Sequence, residues 1–171
     1  SRDGKKILCY GQQKGTGQGE LYYVDLIERK KYQLTKNRLQ EWGGVFSSDE
    51  KWLAYTSEKD MEGSFAIYLN RFSEMNQEIR ISAGGGEEPK WLPDGSAVYY
   101  RNGSEWMKVI LKLDNEPEIG EPELFFEGPY VNVPGPSHDI FPDGRILLLK
   151  GEEWVPPKEI DVIINAVDVD P

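Results

Sequence analysis

The sequence predicts an all-β fold, a β-propeller of about four blades, each a four-stranded antiparallel sheet. Three observations carry that expectation. A turn phrase recurs, as Trp91-Leu92-Pro93-Asp94-Gly95, as Phe141-Pro142-Asp143-Gly144, as Phe46-Ser47-Ser48-Asp49-Glu50 and, shortened, as Ser1-Arg2-Asp3-Gly4. The four turn aspartates, Asp3, Asp49, Asp94 and Asp143, stand 46, 45 and 49 residues apart. Between them lie short alternating or apolar runs, and no stretch holds a helical period long enough to stand alone. A helical solenoid, which needs two amphipathic helices per unit, is thereby excluded.

The turn phrase has a mechanical reading. Proline fixes its own φ, aspartate bonds backbone amides just ahead of it, and Gly95 and Gly144 accept a positive φ at no steric cost. The second repeat has Glu50 where glycine is usual, which predicts a different turn type there.

Taken in order, strands are expected at 5–10, 21–26 and 31–35, with the Gly-rich connection 11–19 between the first two. The second repeat supplies 43–46, 51–56, 64–69 and 77–81, and the third 89–92, 97–101, 106–113 and 123–126. A proline-rich connection, 129–136, leads to 137–141, 146–149 and a last strand at 160–164. The blades are expected at 1–38, 39–84, 85–128 and 129–171, the first without its inner strand and the last without its outer one.

A net charge of −10 argues against a nucleic-acid partner, because phosphate binding needs clustered Lys and Arg. One cysteine, Cys9, excludes an internal disulfide and reads as a small hydrophobe within a strand. No apolar run reaches the ~20 residues that span a bilayer, so no membrane insertion is expected, and the chain shows no targeting segment.

The turn phrase with its sequels, an alternating strand and then an Ile-Tyr strand as in Ala66-Ile67-Tyr68, resembles the WD40-like PD40 repeat of TolB-type β-propellers. The likeness runs through all four repeats. It implies a binding or scaffold module, either a periplasmic scaffold for a peptidoglycan-associated lipoprotein or an extracytoplasmic sensor of bacterial type. It also implies a periplasmic or extracellular place. About four blades leave a ring of roughly six to eight incomplete. Its open faces need further blades from a longer parent chain, or a second copy through self-association.

No catalytic group is expected in this chain. Ser137-His138-Asp139 contains the letters of a triad, but neighbours on a strand point to opposite faces and cannot relay a proton. Asp94 and Asp143 read as turn formers in separate blades. No metal-ligand spacing or calcium loop is present, so no cofactor is expected; a Ca²⁺ ion held in the channel by inner-strand carbonyls would need no motif. Trp42, Trp106, Tyr130 and Trp154 fall at connections or strand starts, where exposed aromatics serve recognition. The binding surface for a protein, peptide or glycan is therefore expected near Trp42, Tyr130, Asn132, His138 and Asp139. The alternative is the gating propeller of a prolyl-oligopeptidase-like hydrolase whose catalytic domain lies elsewhere.

Overall fold

The computed structural model describes residues 1–150, apart from 13–17, 37–38, 62, 73, 115 and 132–135. The expected strand at 160–164, together with Asn132 and Trp154, lies outside the described residues. Among those described there is no helix; the chain is a succession of antiparallel sheets.

The first sheet is β1 (Lys6–Gln12), β2 (Gly19–Asp25) and β3 (Lys30–Gln33), in that order. The second is β4 (Glu41–Phe46), β5 (Trp52–Met61), β6 (Ser64–Arg71) and β7 (Ile79–Arg80). In the third, β8 (Glu87–Trp91), β9 (Ala97–Asn102) and β10 (Glu105–Lys112) are followed by an outer strand in two pieces, β11 (Glu118–Ile119) and β12 (Glu123–Glu127), both paired to β10. The break coincides with Pro122, which has no N–H to give to a ladder. A hairpin, β13 (His138–Ile140) with β14 (Ile146–Leu148), forms the fourth sheet.

Period-two alternation explains how the sheets stack. In β5 and β6, Leu53, Tyr55, Ala66 and Tyr68 pack with Leu21 of the first sheet. Their neighbours Trp52, Ala54, Ile67 and Leu69 pack with Val98, Tyr100, Val109 and Leu111 of the third. The second sheet is thus buried on both faces, which is why its strands read as continuous apolar runs. Each fully buried leucine or isoleucine here contributes about 1.5–3 kcal/mol relative to exposure.

All four turns share one geometry. Asp3, Asp49, Asp94 and Asp143 each accept the N–H two residues on, from Lys5, Lys51, Ser96 and Arg145. The next residue is left-handed each time, with φ of 68° at Gly4, 58° at Glu50, 77° at Gly95 and 85° at Gly144. The expectation of a different turn at Glu50 is therefore corrected. Glu50 takes the glycine conformation, and its carboxylate accepts the N–H of Arg2 at 2.6 Å. Ser1 stands where Ser47 stands in the second sheet. Its amino group donates to Lys6 O and its hydroxyl accepts the Lys6 N–H, as Ser47 does with Trp52.

The fourth turn differs in how it closes. Ser47 N–H bonds Trp52 O and Leu92 N–H bonds Ala97 O, but Phe141 N–H bonds Arg145 O, one residue sooner.

Candidate functional site

The third sheet opens on a bulge. Register slips between Glu87 and Lys90, and Glu88 sits there with a left-handed φ of 56°. The second sheet has the same slip between Trp42 and Val45, with Gly43 at 65°. Glycine reaches this conformation freely; a glutamate there stores strain and marks a position fixed by its surroundings.

Those surroundings belong to the fourth sheet. Glu88 is 4% exposed, and its Oε2 accepts the Ser137 N–H at 2.8 Å and the Ser137 hydroxyl, with His138 Nδ1 at 3.3 Å. Behind it, Arg101 Nη2 lies 3.6 Å from the other oxygen of Glu88 and 3.4 Å from Glu87 Oε2. Burial pushes the Glu88 carboxyl up. Hydrogen bonds from His138 and Ser137 and the charge of Arg101 outweigh it, and the group rests below its ordinary value. The result is an ionised carboxylate used as an acceptor between two sheets. At the same level of the preceding seam, the Thr56 hydroxyl accepts the Glu88 N–H at 3.3 Å.

Trp106 forms the floor of this junction. It is fully buried, stacked on Phe126 at 5.0 Å and met edge-on by Tyr130 at 5.0 Å and His138 at 6.1 Å. Its place at a strand start suggested a rim residue. Pairing with Arg101 instead turns it to the inner face of the seam, so that expectation is corrected.

The remaining expected site residues divide into two groups. Tyr130 is half-buried, leaning on Trp106, and the chain beside it is tied to the fourth sheet by a Tyr130–Lys150 bridge and the bond from Val131 N–H to Leu149 O. Asp139 is exposed and pairs with Lys90 Nζ at 3.3 Å. His138, expected at the channel mouth, is 4% exposed, enclosed between the Glu88 carboxylate and the Trp106 ring on the side of β13 that faces the third sheet. Trp42 lies apart, on the second sheet, half-buried with its ring edge-on to Phe65.

Chemically, the junction positions side chains. The Ser137 hydroxyl donates to Glu88, and Asp139 turns to Lys90, so the Ser-His-Asp run forms no relay. Among the described residues, no group of three or more His, Cys, Asp or Glu is placed to hold a metal ion. Glu88 and Arg101 escaped the sequence reading. Their one local sign is the Glu-Glu-Pro start of β8, where the second repeat has Trp42-Gly43-Gly44.

No protein-family model matches the sequence, and no curated protein matches it. Solved structures do. TolB from Acinetobacter baumannii aligns with a TM-score of 0.64 at 20% identity, over 89% of this chain and 36% of that one. A putative TolB from Agrobacterium tumefaciens gives 0.58 at 20% identity, over 74% and 47%. The β-propeller domain of the Trilobed protease from Pyrococcus furiosus gives 0.51 at 16% identity, over 76% and 42%. The chain spans less than half the length of each of these structures. Its successive antiparallel sheets and their shared turns have the fold of a β-propeller similar to that of TolB.

Proposed function

We propose that this chain is a non-catalytic recognition module that binds a protein partner at the rim where its inner strands begin. One observation carries the reading. The groups capable of chemistry, Ser137, His138 and Glu88, are tied together in a sealed seam, while Tyr130 and Asp139 beside them reach solvent.

A tyrosine braced on a buried tryptophan loses little freedom on binding, and the exposed carboxylate of Asp139 on β13, which Lys90 partly neutralises, offers an acceptor to a partner's donor group. Trp42, which stands apart on the second sheet, is a separate second anchor in this reading. A peptide or a glycan would use the same contacts. Similarity to TolB supports a scaffold role with a periplasmic or other extracytoplasmic setting, and with a peptidoglycan-associated lipoprotein as the first partner to try. Further blades, from a longer chain or a second copy, complete the ring in this reading.

Calorimetric titration with the soluble domain of such a lipoprotein, alongside peptide and glycan panels, tests the proposal. Tyr130→Ala and Trp42→Ala are expected to weaken binding about tenfold or more each, as anchors of an interface do. Binding unchanged in both variants would overturn it.

The alternative is a propeller attached to a hydrolase, which the likeness to the propeller domain of a protease supports. It predicts that peptide binding at this rim depends on a catalytic domain joined to the same chain.

A further inference from the structure

The fourth hairpin closes one residue earlier than the others, although its turn is the same. Asp143 accepts the Arg145 N–H, Gly144 has φ of 85°, and Gly144 N–H bonds Phe141 O, as Gly95 N–H bonds Leu92 O. The ladder beyond nevertheless pairs Ile140 with Ile146 and His138 with Leu148. In the third sheet, Trp91, which corresponds to Ile140, pairs with Val98, which corresponds to Leu147. The turn geometry alone does not decide between these two closures.

The register decides which residues are buried. Cross-strand partners share a face. Ile146 and Leu148 therefore lie on the side of His138, toward the third sheet, and Leu147 and Leu149 are left 54% and 46% exposed. A slip of one residue reverses every side chain. It would pair Ile140 with Leu147 and bring Leu147 and Leu149 inward, the positions that Val98 and Tyr100 fill in the third sheet. Because Ile146-Leu147-Leu148-Leu149 is apolar at both parities, neither register buries a polar side chain.

β5 and β9 are also apolar at both parities, but each is gripped by strands on both edges and packed on both faces. Among the described residues β14 has a ladder on β13 alone, and just beyond it the other edge meets only the Tyr130–Lys150 bridge and the Val131 N–H bond to Leu149 O.

We propose that β14 exchanges between two registers on β13, the observed one and the one that the other turns use, while the Glu88 carboxylate holds β13 itself in place through Ser137 and His138. The exchange reaches Tyr130. Leu149 O accepts the Val131 N–H and Lys150 bridges Tyr130, so a slip carries this strap about 3.3 Å along the strand and lifts Tyr130 from Trp106. One register thus presents the braced tyrosine and the other withdraws it. This last consequence rests on the recognition reading above; the two registers do not.

The test is thiol trapping in a Cys9→Ser background, which removes the one native cysteine. Ile140→Cys with Ile146→Cys reports the observed register, and Ile140→Cys with Leu147→Cys reports the other. Disulfide formation is measured against a glutathione buffer. The two effective concentrations are expected within about a hundredfold of each other, so that the minor register is populated at about a per cent or more. A larger preference for either pair overturns the proposal.

If a cysteine pair fails to fold, the unsubstituted protein answers by NMR. Chemical-exchange saturation transfer on the backbone amides of β14 is expected to show a second state at about a per cent or more, and no second state at that level overturns the proposal. Neither readout involves a partner, so the outcome stands apart from whether Tyr130 binds one.

Discussion

The carboxylate of Glu50 accepts the backbone N–H of Arg2, 48 residues earlier, at 2.6 Å. It also meets the Asp3 N–H at 3.3 Å. The turn of the second sheet is thereby fastened to the turn of the first. The residue that makes this tie is the one that departs from the repeat, so the departure has a structural return. Strain in the left-handed region is offset by two hydrogen bonds that a glycine cannot make.

Two substitutions separate these effects. Glu50→Ala keeps the left-handed backbone and loses the tie, while Glu50→Gly loses the tie but relieves the strain. Urea unfolding should place the alanine variant about 1 kcal/mol below the glycine variant. Equal stabilities would mean that the turn relaxes when the glutamate is removed.

Glu88→Gln keeps one acceptor oxygen but removes the charge of the third seam, and leaves Arg101 without its buried counter-charge. A loss of about 3 kcal/mol is expected. The effect has a pH signature. Because Glu88 titrates below its ordinary value in the folded protein, its contribution is complete above the unfolded carboxylate range and fades as pH falls through the lowered folded value. The difference in Tm between wild type and variant should be widest near neutrality and should shrink below about pH 4. A constant gap from neutral to acid pH would contradict the assignment.

Ser137 and Glu88 should act as one unit. A double-mutant cycle with Ser137→Ala and Glu88→Gln is expected to show a coupling of about 1 kcal/mol. Simple additivity would place the hydroxyl outside the network.

Between the second and third sheets the tie is neutral. Trp91 Nε1–H donates to Val45 O at 3.1 Å, joining adjacent inner strands. Trp91→Phe keeps most of the ring and removes the donor, at an expected cost of about 1 kcal/mol in chemical denaturation. A variant as stable as wild type would show that the bond contributes nothing net.

What could be read in the sequence was local. The aspartate turns are fixed by contacts two residues apart, as Asp94 to Ser96 shows, and strands follow from alternation along a single run. What could not be read was distant or depended on length by one residue. Glu88 meets Ser137 across 49 positions, so nothing near either residue announces the pair. Trp106 looked like a rim aromatic because its burial depends on Phe126, Tyr130 and His138, all supplied by later chain. β11, only two residues long, leaves too short a pattern to count. The early closure at Phe141 was hidden because the letters of its turn match those of the third repeat.

The apolar seams of this protein would accept many neighbours, since any sheet with leucine and tyrosine at alternate positions fills them. The Glu88 seam would not. A copy of the fourth sheet placed after the second would meet Gly43 instead of a carboxylate, and the Ser137 amide and hydroxyl would lie buried with nothing to receive them. Duplication and shuffling can build a propeller from interchangeable vanes; the Glu88 contact assigns the hairpin of β13 and β14 a fixed address.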